Sequence, residues 1–356
     1  MEMVKVTING QVHEFEKGTM LIDAARSLGI KVPTLCHDER MKPTSSCRMC
    51  VMDVGGRLMT SCSTEVWDGM EVESDNAKVK SARRNVVDLL FSNHPNDCLT
   101  CQATGECKLQ DYCYEYGVKE GSFRSENNKD YGKDLTSSQF LDYDPNKCIL
   151  CGKCVGMCSS LQKNHALTIQ NRGFESKMTQ AFEIGFDEST CVSCGNCAAV
   201  CPTGALMVKK KVKYRPWEVK KTRTTCPYCA VGCQLNLITK NGKVVGAEPY
   251  TGEHMMKTTN TGMLCVKGRF AYNFINSGDR LRTPLIKNEN GEFEEASWDQ
   301  ALDLVARKLA GIKEEYGSDY IAGFSCARAT NEDNYVMQKF MRANIGTNNV
   351  DHCARV

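Results

Sequence analysis

Cysteine is the residue type in this sequence that points most directly to chemistry. The chain of 356 residues contains 22 cysteines, most of them in Cys-x-x-Cys groups. Two runs repeat the spacing Cys-x2-Cys-x2-Cys-x3-Cys: Cys148, Cys151, Cys154 and Cys158, then Cys191, Cys194, Cys197 and Cys201. With this spacing, each run binds a [4Fe–4S] cluster through three cysteines and gives its fourth to the other cluster. We therefore predict two clusters, with Cys201 joining the first trio and Cys158 the second.

Proline after the fourth cysteine belongs to the same two-cluster ferredoxin pattern. Pro202 follows Cys201 as expected, but Ser159 follows Cys158. Proline fixes the backbone and removes an N–H donor, so we expect the chain to differ after the two cysteines.

Three further sets of candidate ligands flank these runs. They are Cys36, Cys47, Cys50 and Cys62; His94, Cys98, Cys101 and Cys107; and Cys226, Cys229, Cys233 and Cys265. Four thiolates on a small hairpin-and-helix module suit a [2Fe–2S] cluster, although the first set departs from the plant-type spacing. Three cysteines lie outside the five sets. Cys113 is interpreted as a buried bystander and Cys353 as structural, and Cys326 is unassigned.

Two other uses of cysteine are disulfide bonding and zinc binding. A secreted disulfide scaffold is disfavoured because the chain is long and its N-terminus lacks the apolar core of a signal peptide. Structural zinc usually pairs two Cys-x-x-Cys groups into one tetrahedron, whereas the two longest runs hold three evenly spaced cysteines and a fourth. Iron–sulfur clusters are therefore the favoured interpretation.

The elements that must position these ligands follow from local patterns. Asn9-Gly10 and Asn241-Gly242 predict tight hairpin turns. Thr19 is the expected cap of a short helix, and a second helix is expected over residues 79–93, ended by His94-Pro95. A polar linker is expected around residues 120–138.

The last part of the chain has the strand–helix rhythm of an α/β domain. Ser297 and Gln300 form a capping box that opens a helix ending near Gly317. A strand over Tyr320–Phe324 and a helix over about Glu332–Ile345 are expected to follow.

Composition excludes several classes of protein. Forty-five basic and 43 acidic residues give a net charge of +2, so no concentrated basic face for nucleic acid is indicated. No stretch approaches 18 uninterrupted apolar residues, so no membrane span is expected. A cytoplasmic protein is the expectation.

The first 202 residues resemble the N-terminal modules of three families: the large iron–sulfur subunit of NADH dehydrogenases, iron-only hydrogenases, and multi-cluster formate dehydrogenases. In these families the spacing His-x3-Cys-x2-Cys-x5-Cys binds a [4Fe–4S] cluster through one imidazole. The resemblance thus implies that His94 is a ligand.

The fifth set narrows the resemblance. The segments Thr225–Cys233 and Cys265–Arg269 look like those of formate dehydrogenase α subunits, where a fourth [4Fe–4S] cluster is bound. There the lysine after the fourth cysteine lies between the cluster and the pterin. Lys267 holds that place, so the resemblance implies a role for it as an electron relay, the alternative being a solvated surface lysine.

The final phrase, Asn348–Val356, is very similar to the one that directly precedes the metal ligand of formate dehydrogenases. That ligand is selenocysteine or cysteine, followed by a catalytic histidine. We expect an opal codon read as a stop after Val356, the alternative being a truncation.

The resemblance implies an α+β multidomain architecture in the N-terminal part of a formate dehydrogenase α subunit. The modules expected are a β-grasp [2Fe–2S] domain (1–78), a [4Fe–4S] domain with one histidine and three cysteine ligands (79–119), a two-cluster ferredoxin domain (138–210), a molybdopterin oxidoreductase [4Fe–4S] domain (220–280) and the start of the molybdopterin-binding α/β domain (281–356). One [2Fe–2S] and four [4Fe–4S] clusters are expected. Bis-molybdopterin guanine dinucleotide with molybdenum or tungsten is expected only in the full-length protein.

The implied reaction is the reversible oxidation of formate to CO2. Electrons would pass to the Cys226 cluster, through the two ferredoxin-type clusters and out through the N-terminal pair. The expected partners are flavin- or NAD-reducing iron–sulfur subunits, ferredoxin or a hydrogenase module. Two alternatives stay open: an electron relay without catalysis of its own, and a protein like the NADH dehydrogenase subunit.

Overall fold

The computed structural model describes residues 2–123 and 131–354. These residues form two compact units, Met1–Glu218 and Val219–Val356, called here the N-terminal and C-terminal units. Part of the expected polar linker (124–130) and the last two residues of the final phrase lie outside the described residues.

The chain begins with a five-stranded mixed sheet that carries one short helix. Its elements are β1 (Met3–Ile8), β2 (Gln11–Glu16), α1 (Leu21–Ser27), β3 (Val51–Val54), β4 (Arg57–Thr60) and β5 (Met70–Glu73). The strand order is β2-β1-β5-β3-β4, with β1 and β5 parallel. Ile8 pairs with Gln11 across the predicted Asn9-Gly10 turn, where both residues have positive φ. Alternate side chains of β1 are buried against α1, which gives this domain a core of its own.

Two helices then lead to and from the histidine-containing set. They are α2 (Ala77–Ser92) and α3 (Lys108–Glu115). The Asn76 side chain caps α2 by accepting the Val79 N–H, and α2 ends just before His94. Arg83, buried on α2, donates to the carbonyls of Val51 and Ser74 and so fixes the helix against the sheet.

The ferredoxin-type domain is built from two similar halves. Its elements are β6 (Leu141–Tyr143), α4 (Lys153–Gly156), β7 (Thr168–Gln170), β8 (Lys177–Thr179), α5 (Asn196–Val200) and β9 (Leu206–Val208). β6 pairs with β9, and β7 with β8, both antiparallel. Each half places a short helix, entered through a glycine with positive φ (Gly152 or Gly195), after its first two cysteines.

The C-terminal unit opens with a three-stranded antiparallel sheet and ends in a strand–helix–strand unit. Its elements are β10 (Lys220–Thr225), β11 (Gln234–Lys240), β12 (Lys243–Pro249), α6 (Val266–Phe270), β13 (Leu285–Lys287), β14 (Phe293–Glu295), α7 (Trp298–Tyr316), β15 (Gly323–Ser325), α8 (Asn331–Lys339) and β16 (Val350–His352). The predicted turn joins β11 and β12, and the Ser297 capping box opens α7. β15 and β16 are parallel, joined through α8 and a π-helical segment, Phe340–Ile345.

Two local predictions were wrong in detail. Thr19 does not cap α1, because its hydroxyl donates to the Glu16 carbonyl and Met20 stands at the cap. The strand expected over Tyr320–Phe324 begins at Gly323, because Ser318–Tyr320 forms a 3-10 turn.

Candidate iron–sulfur sites

The first cysteine set converges beside the N-terminal sheet. All four thiols, those of Cys36, Cys47, Cys50 and Cys62, are buried. A hydrogen bond between Cys36 and Cys47 lowers the pKa of Cys36 and raises that of Cys47. A second bond joins Cys50 and Cys62 in the same way and lowers the pKa of Cys62. Four soft donors in two neighbouring hydrogen-bonded pairs, with one thiol of each pair favoured as a thiolate, suit a cluster with two irons.

The loop that carries this set supplies hydroxyl groups. Ser45 Oγ lies 3.6 Å from Cys62 Sγ, and the Thr44 and Ser46 side chains hydrogen-bond to Cys36. Ser45 and Arg48 both adopt positive φ, which few non-glycine residues do. Hydrogen bonds to sulfur stabilise thiolates and tune the potential of a bound cluster.

His94 is placed and prepared as a ligand. Its side chain is buried, and Nδ1 lies 2.9 Å from the Pro95 carbonyl. A carbonyl can only accept, so Nδ1 carries the proton and Nε2 presents a lone pair. Nε2 is buried without a hydrogen-bond partner. Burial lowers the pKa of His94, which keeps the ring neutral and able to bind iron.

The three cysteines of this set surround the same place. Cys107 is buried, while Cys98 and Cys101 are partly exposed. Burial raises the pKa of Cys107 to about 11, and the charges of Cys101 and Cys98 add to the effect. Cys113, outside the set, is buried nearby and feels the charges of Cys107 and Cys98.

Sequence analysis missed one charged residue at this site. Lys147 is buried, its Nζ lies 2.8 Å from Asp97 Oδ2, and it hydrogen-bonds to the thiol of Cys101. Thr203 Oγ1 donates to the Lys147 carbonyl over 2.8 Å. The only signal for Lys147 in the sequence is its position directly before Cys148. Lys147 thus belongs to the ferredoxin-type domain but contacts the histidine-containing set of the preceding domain.

The two ferredoxin-type sites are cavities lined by crossed sets of cysteines. One cavity is lined by Cys148, Cys151, Cys154 and Cys201, and the other by Cys158, Cys191, Cys194 and Cys197. Burial raises the pKa of Cys151 to about 12, with the charges of Cys201 and Cys148 adding to it. Thiolates in such surroundings form when a metal ion compensates their charge. The structure thus brings each fourth cysteine to the trio with which the spacing pairs it.

Backbone N–H groups point at the sulfur atoms of both cavities. Leu150 N lies 3.4 Å from Cys148 Sγ, and Ser193 N lies at the same distance from Cys191 Sγ. Ala166 N lies 3.3 Å from Cys158 Sγ. Donors of this kind stabilise negative charge on bound iron–sulfur clusters.

The Cys148 site contacts both preceding sites within the N-terminal unit. Ser46 Oγ lies 3.4 Å from the Cys151 carbonyl, beside the first cysteine set. On the other side, a Cβ atom on Gly204 would lie 2.8 Å from Cys101 Sγ, so only glycine fits there without displacement.

The fifth set lies at one end of the three-stranded sheet in the C-terminal unit. Cys226 is buried, Cys233 is partly exposed, and Cys229 and Cys265 are exposed. Burial raises the pKa of Cys233, and the charges of the other three cysteines act on it. The buried Asn260 amide accepts from Gln234 N and donates to the carbonyls of Gln234 and Met263, which ties the Cys265 loop to the sheet.

Lys267 lies on the first turn of α6, two residues after Cys265, and it is exposed. Gly268 packs on the set, since a Cβ there would lie 3.5 Å from Cys226 Sγ.

In residues 2–123 and 131–354, no three His, Cys, Asp or Glu side chains converge on a point that could hold a single metal ion. No helix among the described residues is long and apolar enough to cross a membrane.

Five family descriptions match consecutive parts of the chain. They are the 2Fe-2S iron-sulfur cluster binding domain (1–77), the NADH-ubiquinone oxidoreductase-G iron-sulfur binding region (83–122), the 4Fe-4S dicluster domain (147–205), the molybdopterin oxidoreductase Fe4S4 domain (219–277) and molybdopterin oxidoreductase (280–356). The chain therefore carries segments that match iron–sulfur binding domains, followed by two segments that match molybdopterin oxidoreductase domains. The predicted domain order and mixed α/β architecture are confirmed.

Known proteins with several activities are similar to this chain. The NADPH-Fe(3+) oxidoreductase subunit alpha of Geobacter sulfurreducens is 39% identical over 99% of this chain and 40% of its own length. A G-type NADH-quinone oxidoreductase subunit of Rhizobium meliloti is 38% identical over 99% and 40%. A Staphylococcus aureus protein named "Putative formate dehydrogenase" is 34% identical over 99% and 39%. The chain thus spans about 40% of the length of these relatives.

One solved structure is similar in fold and sequence. An NAD+-reducing [NiFe]-hydrogenase in the H2-reduced state shares 29% sequence identity with this chain. The match has a TM-score of 0.56 and covers 60% of this chain and 90% of the other. Part of this chain therefore shares its fold with a protein named as a hydrogenase.

Proposed function

We propose that this chain is the electron-transfer portion of a cytoplasmic formate dehydrogenase, whose full-length form oxidises formate reversibly to CO2. The observation that carries this proposal is the fifth cysteine set with Lys267 two residues after its last cysteine. The last described strand of the same unit carries the phrase that is similar to the one before the metal ligand of formate dehydrogenases. That phrase, over Val350–His352, forms β16 beside the parallel strand β15. Cofactors of α/β domains bind at the carboxyl ends of such strands.

In this function each group of candidate residues would have its own role. The five sets hold one [2Fe–2S] and four [4Fe–4S] clusters, which when bound carry electrons between the substrate site and a redox partner. His94 contributes a neutral donor, and the N–H groups of Leu150 and Ser193 stabilise sulfur charge. Lys267 places a cation beside the fifth set, where it favours negative charge on both neighbouring redox groups.

The proposal extends to the parts of the protein beyond these clusters. Bis-molybdopterin guanine dinucleotide with molybdenum or tungsten would be held by the full-length protein, with selenocysteine or cysteine as the protein ligand. Electrons would leave to a flavin- or NAD-reducing iron–sulfur subunit, ferredoxin or a hydrogenase module. Metal and selenium analysis of protein from the native source tests the first of these statements.

Formate is the substrate to test directly. Full-length protein, prepared anaerobically, should lose the visible absorbance of its oxidised clusters within seconds of adding formate. The 356-residue chain should be reduced by dithionite but not by formate. Failure of formate to reduce a full-length protein that contains pterin and metal would overturn the proposal.

The second candidate is an electron relay whose electrons do not come from formate. It is favoured by the names of the relatives, which include NADPH- and NADH-dependent oxidoreductases. The same experiment separates the two functions when NADH, NADPH and formate are each offered alone. Reduction by a nicotinamide in the presence of its flavin partner, with none by formate, supports the relay.

Lys267 is tested in the full-length enzyme by Lys267→Met. We expect pterin and clusters to stay bound while reduction of the clusters by formate slows by roughly tenfold, the equivalent of about 1.4 kcal/mol. Lys257→Met is the matched control, because Lys257 is an exposed lysine of the same unit outside the cysteine set. Reduction by formate at the unaltered rate in Lys267→Met would remove Lys267 from the pathway.

A further inference from the structure

Two cysteines that belong to none of the five sets meet in the C-terminal unit. The Sγ atoms of Cys326 and Cys353 lie 3.6 Å apart, although 27 residues separate them in sequence. Cys326 directly follows β15 and Cys353 directly follows β16. Because β15 and β16 are parallel and paired in register, the residue after each strand is brought to the same edge.

This arrangement fits a disulfide. Ser325 pairs with His352, so Cys326 and Cys353 are the next pair after the end of the ladder. Neighbouring strands lie about 4.8 Å apart, within the Cα separations that disulfides span. The sulfur atoms must approach by roughly 1.5 Å to reach a bond length of about 2.05 Å. Neither residue lies inside a paired strand, so this movement breaks no ladder hydrogen bond.

The surroundings favour reaction at Cys326. Its Sγ accepts the N–H of Arg328 over 3.4 Å. That bond and the one with Cys353 lower the pKa of the Cys326 thiol, which raises the fraction of Cys326 present as the nucleophilic thiolate. Cys326 is partly exposed and Cys353 is exposed, so small molecules reach both.

We infer that Cys326 and Cys353 are a redox-active thiol pair, a modification site that exchanges with low-molecular-weight disulfides such as oxidised glutathione. The Cys326 thiolate attacks one sulfur of the small disulfide, forms a mixed disulfide and releases one thiolate. The Cys353 thiolate then attacks Cys326 Sγ, forms the intramolecular disulfide and releases the second thiolate. Two protein thiols are oxidised, one small disulfide is reduced to two thiols, and the two thiol protons are taken up by the released thiolates.

The disulfide would lie at the carboxyl edge of two parallel strands, the place where α/β domains bind cofactors. Closing it would cross-link the loops after β15 and β16. Oxidation of this pair does not depend on the proposed formate dehydrogenase function, because it requires neither formate nor the pterin.

The test uses the 356-residue chain, prepared anaerobically with its clusters. Samples equilibrate in glutathione buffers of increasing oxidised fraction, are quenched in acid, alkylated and mapped by mass spectrometry. We expect a Cys326–Cys353 cross-linked peptide with iron content unchanged. Cys113, which is buried, should stay a free thiol and serves as the internal control.

Single variants separate a pair from two independent thiols. In Cys353→Ser and Cys326→Ser the remaining cysteine can form only a mixed disulfide with glutathione. An intramolecular thiol has a high effective concentration, so the wild-type cross-link should form at a glutathione oxidation ratio at least about tenfold lower than these mixed disulfides need. The inference is overturned if both thiols stay free, or if wild-type protein carries glutathione on each cysteine without a cross-link.

Discussion

The two halves of the ferredoxin-type domain share one cysteine spacing but have different surroundings. In both, the second residue after the first cysteine has positive φ, at Leu150 and Ser193, and its N–H points at that cysteine's sulfur. The Cys148 half packs against both preceding sites, and a buried lysine stands before its first cysteine. In the other half that position is Thr190, which is exposed. The features that both halves share, the cysteine spacing and the backbone N–H group, determine the ligand geometry. The features that differ, such as Lys147 against Thr190, determine how each site packs against its neighbours.

The halves also differ after the fourth cysteine. α5 ends at Val200, and Cys201 is extended before Pro202. After α4 the chain instead continues as a π-helix over Met157–Leu161, which includes Cys158 and Ser159. Serine allows this because it keeps its N–H and has no ring to clash with the preceding turn. The predicted difference in backbone is therefore present.

The largest expected effect concerns the crossed sets. Cys201→Ser should cost about four irons per chain, and so should Cys158→Ser, since each removes a ligand from one [4Fe–4S] cluster. The crossing itself is tested by pairs of substitutions. Cys201→Ser with Cys148→Ser should lose no more iron than Cys148→Ser alone, whereas Cys201→Ser with Cys191→Ser should lose about twice as much. The reverse result would mean that each run serves its own cluster.

Ser159→Pro comes next in size. The proline ring would clash with the Val155 carbonyl, which now accepts the Ser159 hydroxyl over 2.9 Å. We expect a loss of about 3 kcal/mol in stability, seen as a lower temperature for loss of cluster absorbance under argon. Pro202→Ser is the matched control and should change stability by less than about 1 kcal/mol. Equal effects of the two substitutions would contradict the difference between the halves.

Lys147→Met should lower the reduction potential of the cluster at the Cys101 set without removing that cluster. The substitution deletes a buried cation that bonds to Cys101, so the reduced, more negative state of a cluster there is less stabilised. A charge-assisted hydrogen bond of about 1.5–3 kcal/mol corresponds to a fall in reduction potential of about 65–130 mV for one electron. A titration followed by electron paramagnetic resonance measures it. Thr190→Met, at the equivalent exposed position, should leave every potential unchanged; a fall there too would show that the effect is not specific to the buried charge.

The smallest expected effect concerns the positive φ that both halves have at the second residue after the first cysteine. Ser193 holds positive φ, a conformation that costs a non-glycine residue about 1 kcal/mol, so Ser193→Gly should stabilise the chain by up to that amount. Leu150→Gly should not, because the Leu150 side chain lines the Cys148 cavity and its removal offsets the gain. Thermal unfolding of the two variants side by side gives the comparison, and stabilisation by both would show that the Leu150 side chain contributes nothing.

Features set by neighbouring residues could be predicted from the sequence. The Asn9-Gly10 and Asn241-Gly242 turns need positive φ and a short loop, and both requirements are visible locally. The capping box at Ser297 depends on residues three apart. The cysteine sets were found because iron–sulfur ligands cluster in short loops with fixed spacing.

Features set by packing between distant segments were missed. Lys147 reads as an ordinary charged residue, and its burial depends on Asp97 and Cys101, which belong to another domain. The pairing of Cys326 with Cys353 could not be predicted from the sequence, because it depends on the register of two parallel strands. The expected strand–helix rhythm was the available signal, since parallel pairing brings the residues after both strands together.

The contact of Gly204 with Cys101 has a mechanical consequence. Three peptide units join Cys201, which lines one cavity, to Gly204, which rests on a thiol of the next site. A chain of that length reaches at most about 11 Å between its end Cα atoms. While Gly204 keeps this contact, the peptide acts as a tether of fixed maximum length between the two sites. The distance between the Cys101 and Cys201 sites is therefore limited by the length of this short peptide.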